Sequence, residues 1–367
     1  MIDWGFAFLI SLYCFSILYL WWGWERIPIN TNEDPKPTVS VIVPIRNEVE
    51  NILGLLVSLQ NQLYSGLLEI IIINDYSEDD SYEVVREFIA DKASFKLYSL
   101  EAYTGKKAAI TEGIKRAAGD IILTTDGDCV ARPTWVETMV NAFDESTQMV
   151  SGPVKFATGN SMLSKMQSIE FASLIGSGAA LIGWQKPLMA NGANMGFRKS
   201  AFKAVDGFEG NTETASGDDV FLLHKIARYF PNSIAFAKQE GAIMQTAAQP
   251  TLKSFVNQRI RWASKWKGYK DVFTKLTAVL VFMLSFSLIA FPFMVKFNSN
   301  SMFLWINLWV IKSFFDFFFI RQVSNFLGQK IKILPFVILQ IVYPFYVVFT
   351  ALFSFQKSYM WKGRNVS

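Results

Sequence analysis

Apolar positions along this chain follow three different rhythms. From Trp4 to Trp24 they run almost unbroken, long enough to cross a bilayer, which needs about 20 apolar residues. Between 39 and 125 short β-branched runs alternate with stretches whose apolar residues return at helical spacing. Beyond 275 the long runs resume as Leu276 to Val295, Met302 to Ile320 and Ile333 to Phe355, with Pro335 and Pro344 leaving the last free to span or to re-enter. In the middle region Val39 to Val43 predicts a buried strand, and the helix after it has Asn47 placed as cap and Glu50 three residues on, with Val49, Ile52, Leu53, Leu56 and Leu59 on its apolar side. Glu69 to Ile73 predicts a second strand, Ser81 to Ala90 a helix, Phe95 to Leu100 a third strand, Lys107 to Ala118 a helix stopped by Gly119, and Ile121 to Thr125 a fourth strand.

That alternation is βαβ. It predicts an α/β domain with a mainly parallel sheet, helices on both faces, and a ligand crevice at the carboxyl ends of the strands. Pro44, Arg46, Asn47 and Glu48 follow the first strand, Asn74 and Asp75 the second, Asp126 and Asp128 the fourth, so they are expected around one cleft.

Composition sharpens this picture. With 51% hydrophobic and 15% aromatic residues, part of the chain belongs in lipid. The net charge of +4, without a Lys/Arg block interleaved with aromatics, argues against nucleic acid as a partner. Two cysteines and one histidine exclude a disulfide framework, a cysteine metal cluster and a histidine triad. The lone His224 reads as a packed or capped side chain. The first apolar run has no basic leader and no small-residue cleavage site, so a retained anchor is expected. Arg26 and Lys36 follow it, and Lys253, Arg259, Arg261, Lys265, Lys267, Lys270 and Lys275 precede the second run, which places 25–275 in the cytoplasm by the positive-inside rule. Lys312 and Asp316 stand at i and i+4 inside the third run, where a mutual pair is the expectation.

The chain has neither G-x-G-x-x-G after its first strand nor G-x-x-x-x-G-K-[ST] anywhere, which counts against a dinucleotide oxidoreductase and a P-loop enzyme. Asp126-Gly127-Asp128 directly after a strand offers another phosphate-binding device. Mg²⁺ or Mn²⁺ needs only one or two protein carboxylates when substrate phosphates and water complete its shell. A plain polar turn after a strand has the same sequence.

These residues resemble glycosyltransferase family 2, particularly its membrane-embedded members such as the cellulose, hyaluronan and poly-N-acetylglucosamine synthases and the ceramide glucosyltransferases. The likeness covers about Val39 to Gly268. "VSVIVPIRNE" at 39–48 resembles the opening strand and turn, "IIIINDYSEDDS" at 70–81 the D-D-G-S segment, and "TGKKAAI" at 104–110 the G-K-x-x-A segment. The resemblance implies a GT-A, Rossmann-like domain in which Pro44, Arg46, Glu48, Asp75, Lys106 and Asp126 bind a nucleotide-sugar. "TTDGDCV" matches the D-x-D, with Asp128 as direct metal ligand beside Asp126, and "NGANMGFRKSAF" at 191–202 resembles an acceptor-side segment in which Asn194 and Arg198 match. In "SGDDVFL" the pair Asp218 and Asp219 takes the place of an E-D motif, which makes Asp219 the general base, with Asp218 a second candidate; capping of the next helix is the simpler reading of G-D-D. "QRIRW" at 258–262 matches Q-x-x-R-W: Gln258 belongs to the motif, Arg261 would neutralise diphosphate, and Trp262 would stack on an acceptor sugar. The same segment, with Lys265, Trp266, Lys267 and Tyr269, also reads as an interfacial helix on lipid headgroups.

The expected layout is an anchor at 1–25, a cytoplasmic GT-A domain at 36–250, interfacial helices at 251–275, about three membrane helices at 276–355 and a tail at 356–367. Ser161 to Trp184, apolar with small residues, is expected to be a helix along the bilayer or beside the acceptor path. The expected activity is inverting, metal-dependent transfer of a sugar from a nucleoside-diphosphate sugar, a UDP-sugar first, to a lipid or growing glycan at the cytoplasmic face of a bacterial inner membrane. Glycoside hydrolysis also uses two carboxylates but needs no metal motif or nucleotide cleft. A non-catalytic transferase-like subunit of a polysaccharide assembly or export complex is the other alternative.

Overall fold

The computed structural model describes residues 2–29, 36–157, 159–211, 217–264, 272–353, 359–361 and 364–366. In chain order the elements are α1 (Ile2–Glu25), β1 (Val39–Ile45), α2 (Ile52–Gln60), β2 (Leu68–Asn74), α3 (Ser81–Ile89), β3 (Phe95–Ser99), α4 (Lys106–Arg116) and β4 (Ile121–Thr124). They continue with α5 (Trp135–Asn141), β5 (Met149–Ser151), β6 (Val154–Phe156), α6 (Met162–Gly183), β7 (Met195–Arg198), α7 (Lys199–Ala204), α8 (Asp218–Tyr229), β8 (Ile234–Phe236) and β9 (Met244–Thr246). The helices α9 (Leu252–Ser264), α10 (Val272–Met294), α11 (Ser299–Phe326) and α12 (Ile333–Phe353) follow. The chain divides into two compact units.

One unit comprises Arg26–Ala157, Leu181–Ala247 and Met360–Ser367. Its sheet has the order β3-β2-β1-β4-β7-β5-β8. The first four strands are parallel, β7 is antiparallel to both β4 and β5, and β5 runs parallel to β8. Val41, Ile42, Val43, Ile70 to Ile73 and Ile121 to Leu123 are all buried, the near-continuous apolar pattern of strands covered on both faces. β2 and β3 lie to one side of β1 and β4 to the other, so the order reverses between β1 and β4 and opens a crevice at their carboxyl ends. β6 pairs with β9 in a separate ribbon, and Val130 bridges to Gln245, which ties the loop after β4 to β9.

Two local expectations give way to tertiary contacts. Asn47 does not cap a helix: it sits in the left-handed region at φ 51°, its side-chain carbonyl accepts from the Glu78 N–H at 2.8 Å, and α2 starts only at Ile52. The backbone N–H groups of Asn47, Glu48 and Val49 instead donate to Ser77, Ser81 and Asp79, so the polar loop after β2 satisfies this turn from outside. α4 ends at Arg116 with Ala117 already extended, before Gly119. Gly119 serves a close approach: its N–H donates to Ser40 Oγ at 2.8 Å, and a Cβ there would lie 2.5 Å from the Ser40 backbone nitrogen.

The other unit comprises Met1–Glu25, Thr158–Ala180 and Ala248–Tyr359. Most of α6 therefore groups with the hydrophobic helices, whereas the sequence layout had placed it within 36–250. Four helices, Ile2–Glu25, Thr274–Met294, Ser299–Phe326 and Ile333–Phe353, are long and apolar enough to cross a membrane. Phe6, Ile10 and Cys14 of α1 pack with Leu284, Leu288 and Phe291 of α10. Gly176 of α6 lets Val323 of α11 approach, since a Cβ there would fall 2.5 Å from its Cγ2. The expected intramembrane pair is present: Lys312 Nζ lies 2.7 Å from Asp316 Oδ2, and both side chains are buried. Gln340 of α12 accepts from Lys312 at 2.7 Å and Tyr13 of α1 donates to Asp316 at 2.8 Å, so every charge has a partner across helices. α12 continues through Pro344, which makes the fourth run one helix. The basic-aromatic positions 265–270 and tail residues 356–358, 362–363 and 367 lie outside the described residues.

Candidate active site

Four loops at the carboxyl side of the sheet are joined by direct contacts. Asp75 follows β2 and is 2% exposed, and both its carboxylate oxygens accept from the Gly105 N–H at 3.1 Å. Gly105 has φ 102°, a conformation that glycine tolerates and that turns the chain into α4 with Lys106 as its first residue. Lys106 Nζ stands 2.5 Å from Asp126 Oδ1, after β4, and 3.5 Å from Asp218 Oδ2, at the start of α8. Gly192, before β7, lies against the same groups: a Cβ there would be 3.0 Å from Lys106 Nζ and 3.2 Å from Asp218 Oδ2. Its N–H donates to Asp219 Oδ2 at 3.4 Å. The cleft therefore brings Asp75, Lys106, Asp126, Asp218 and Asp219 into one chain of contacts.

The electrostatics follow from that crowding. Burial opposes the charge on Lys106, but the carboxylates of Asp126 and Asp218, the hydrogen bond to Asp126 and the field of Asp219 outweigh it and hold the ammonium above the ordinary lysine range. Burial, reinforced by Asp128 and Asp126, pushes the Cys129 thiol well above its usual value, so Cys129 is a neutral packing side chain. Asp128 is oriented from outside its own turn: Thr246 of β9 donates to Oδ2 at 3.1 Å. Glu48 packs on the D-G-D turn, where a Cβ on Gly127 would lie 2.9 Å from its Cγ, and it is 6% exposed. In α8 the position before the helix is Gly217 at φ 88° with no side-chain cap, and Asp218 and Asp219 occupy the first turn, where the helix dipole favours their charge. The pairing of Asp218 with Lys106 goes beyond helix capping.

Three predicted contacts have other uses in the structure. Arg46 is 4% exposed and is spent on the loop after β2: it donates to the carbonyls of Asp75 and Tyr76 and pairs with Glu78 at 2.7 Å. These contacts shape the Asp75 turn. Asn194, expected on the acceptor side, is fully buried; it accepts from Trp135 Nε1 at 2.9 Å and donates to the carbonyls of Pro153 and Ala242 at 2.8 Å. A sealed amide with those partners has no room for an acceptor. Arg198 is corrected for a topological reason. β7 runs antiparallel to β4, so Arg198 pairs with Ile121 at the amino end of β4, away from the crevice, and its guanidinium holds the carbonyls of Thr147 and Asp144. Pro44 lies in β1 opposite Ile73, one residue before the strand's carboxyl end. The Asn194→Ala protein should lose about 3 kcal/mol of stability, because Trp135 and two carbonyls would be stranded in the core; thermal unfolding in detergent measures it.

Gln258, Arg261 and Trp262 lie on α9, in the helical unit. Arg259 between them, which the sequence marks only as one of the basic residues before the second apolar run, is the organiser there. It is 3% exposed, forms a buried ion pair with Glu170 of α6, donates to Gln258 Oε1 at 3.0 Å, and sits 4.1 Å from the Trp262 ring centroid and 4.8 Å from that of Phe255. Phe171 of α6 lies against Trp262 with ring centroids 6.0 Å apart. A lone acidic residue, Glu170, in an apolar segment was the available signal, since a buried charge demands a partner. Gly192 and Thr246 were also missed, because neither carries a charge that marks it.

Among the described residues no group of three or more His, Cys, Asp or Glu side chains could by itself hold a metal ion. The donors that are present, Asp126 and Asp128 on one turn, are hard oxygens, and a protein cation already sits against Asp126. They fit a divalent ion that shares its shell with substrate phosphates and water.

Residues 40–206 match the family model described as "Glycosyl transferase family 2". The poly-beta-1,6-N-acetyl-D-glucosamine synthase of Staphylococcus epidermidis is 30% identical over 230 residues, 61% of this chain and 53% of that protein. Glycosyltransferase AglE of Haloferax volcanii is 31% identical over 126 residues, 34% of this chain and 41% of that one. The chain thus spans about half the length of the curated relatives it matches. Among solved structures, a mannosyltransferase, PcManGT from Pyrobaculum calidifontis, in complex with GDP-Man and Mn2+, superposes with a TM-score of 0.63 at 18% identity, over 96% of this chain and 99% of that chain. At that identity the likeness establishes the fold, a mixed α/β, Rossmann-like GT-A domain with membrane-type helices.

Proposed function

We propose that this protein is a membrane-bound, inverting glycosyltransferase that moves a sugar from a nucleoside-diphosphate sugar to a lipid or growing polysaccharide acceptor at the cytoplasmic membrane face. The observation that carries this reading is the continuous set of contacts Asp75–Gly105, Lys106–Asp126, Lys106–Asp218 and Gly192–Asp219, which brings into one cleft the residues to which this reading gives the nucleotide, cation and base roles. The poly-beta-1,6-N-acetyl-D-glucosamine synthase relative supports a polysaccharide product, and the mannosyltransferase complex with GDP-Man and Mn2+ supports a nucleoside-diphosphate sugar and a divalent ion.

In this reading Asp75 receives the nucleoside and Lys106 meets the diphosphate. The amino end of α4, which has no side-chain cap, turns the positive end of its helix dipole to the same anion. Asp128 and Asp126 would hold Mg²⁺ or Mn²⁺, which when bound would neutralise charge developing on the leaving diphosphate. Asp219 accepts the proton of the acceptor hydroxyl as that oxygen attacks the anomeric carbon from the side opposite the diphosphate, which inverts its configuration. Asp218 is paired with Lys106 in the cleft without donor. For Gln258, Arg261 and Trp262 a role at diphosphate and acceptor is proposed from the motif's sequence. The layout proposed for the chain is a membrane anchor at 1–25, a cytoplasmic transferase domain and three further crossings. Membranes carrying the protein, incubated with a panel of radiolabelled nucleotide sugars, are expected to place label in a lipid-linked or polymeric product from one donor. Release of free sugar alone would identify a hydrolase, and no turnover of any donor would leave only a non-catalytic subunit.

A further inference from the structure

Lys106 is an unusual first residue for a helix. The amino end of α4 carries positive partial charge, so a cation is stable there only beside anions. Its neighbours supply them: Asp126 Oδ1 at 2.5 Å and Asp218 Oδ2 at 3.5 Å. The Lys106 and Asp218 side chains are 18% and 7% exposed, whereas Asp126 is 35% exposed and faces the open part of the cleft. The other carboxylate of the D-G-D turn, Asp128, takes its second-sphere support from Thr246 and Cys129. Hence the cation that neutralises Asp126 belongs to the protein itself. A divalent ion bound to the same carboxylate would face the Lys106 ammonium at short range, and two cations sharing one carboxylate repel.

We propose that Lys106 is an internal counter-ion that competes with the divalent cation for Asp126, and that an incoming diphosphate draws its ammonium away, so that cation binding is conditional on the donor. The inference rests on the reading of Asp126 and Asp128 as cation ligands. The local construction suits an exchange of partners. Gly105 is pinned by both oxygens of Asp75, so the backbone of the turn stays in place while the flexible four-carbon stem of Lys106 moves its charge. Gly192 leaves the space beside Nζ without a side chain. By linkage, whatever factor the diphosphate adds to cation affinity, the cation adds to diphosphate affinity. The consequence is an order of assembly: a cleft without donor holds the metal poorly, and free metal does not lock the empty site.

The test is Mn²⁺ binding to the purified full chain, read from the electron paramagnetic resonance of free Mn²⁺, with and without uridine diphosphate. For the parent protein Mn²⁺ alone should bind weakly, and uridine diphosphate should tighten it by about tenfold or more. Lys106→Gln should bind Mn²⁺ alone about tenfold more tightly than the parent, bind uridine diphosphate more weakly, and lose most of the coupling. These opposite signs are not what loss of a merely structural contact would give. Lys106→Arg, which keeps the charge, should not show the gain in affinity for Mn²⁺ alone. If Lys106→Gln fails to fold because Asp218 is stranded, Lys106→Gln/Asp218→Asn removes both buried charges and should show the same gain. Unchanged, weaker or undetectable Mn²⁺ binding by the neutral variants overturns the proposal. Should the Mn²⁺ gain occur while no nucleoside diphosphate binds any variant, the counter-ion role stands and the donor reading falls. Should uridine diphosphate bind normally without that gain, the donor reading stands and the counter-ion role falls.

Discussion

Asp219→Asn is expected to reduce sugar transfer by about a thousandfold while nucleotide binding stays within a few-fold of the parent. The amide keeps the shape of the side chain and its contact with the Gly192 N–H but cannot take a proton from an acceptor hydroxyl. Asp219 is better placed for this than its neighbour. Asp218 is 5% exposed and committed to Lys106, whereas Asp219 is half-buried at the Gly192 edge of the cleft. Asp218→Asn should therefore act differently, weakening the hold on Lys106 and shifting nucleotide affinity as well as rate. Product formed from labelled donor, set beside calorimetric nucleotide affinity, separates the two. An Asp219→Asn protein that transfers sugar at the parental rate would remove the base assignment.

Asp128→Ala is expected to abolish the metal dependence of donor binding and to slow transfer by roughly a hundredfold or more, the effect of losing about 3 kcal/mol of charge stabilisation at the leaving group. The truncation leaves the Lys106 pair with Asp126 and Asp218 intact, so the fold of the cleft should persist. It removes the carboxylate that Thr246 orients. Donor titrations with Mn²⁺ and with a chelator give the measurement: parent affinity should differ between the two, and variant affinity should not. Equal metal dependence in both proteins would place the cation elsewhere.

The readable part of this chain was that in which local pattern and burial agree. Val39 to Ile45, Leu68 to Asn74 and Ile121 to Thr124 are apolar on both faces because helices cover both sides of the sheet, so periodicity and flanking turns locate them within a residue or two. Asp75, Asp126 and Asp128 were legible as ends of strands. Asn47 was misread because the groups that satisfy its turn come from Ser77 to Ser81, about 30 residues away in the chain, and local capping rules cannot see them. Arg259 was legible only as a flanking basic charge because its meaning lies in Glu170, which only packing brings beside it.

By itself, the order of amino acids determined the α/β core, the four long apolar helices, the Lys312–Asp316 pair and the set of acidic residues at strand ends, since each depends on spacing within one element or its edge. Tertiary structure alone decided that β7 runs antiparallel, which carries Arg198 to the far end of the sheet, and that Asn194 is sealed by Trp135 and two carbonyls. It alone decided that Lys106 lies between Asp126 and Asp218. The physical reason is common to all three: strand direction, core hydrogen bonds and ion pairs are settled between segments distant in the chain, by the need to pair every buried polar group, and local sequence holds no record of which partner is chosen.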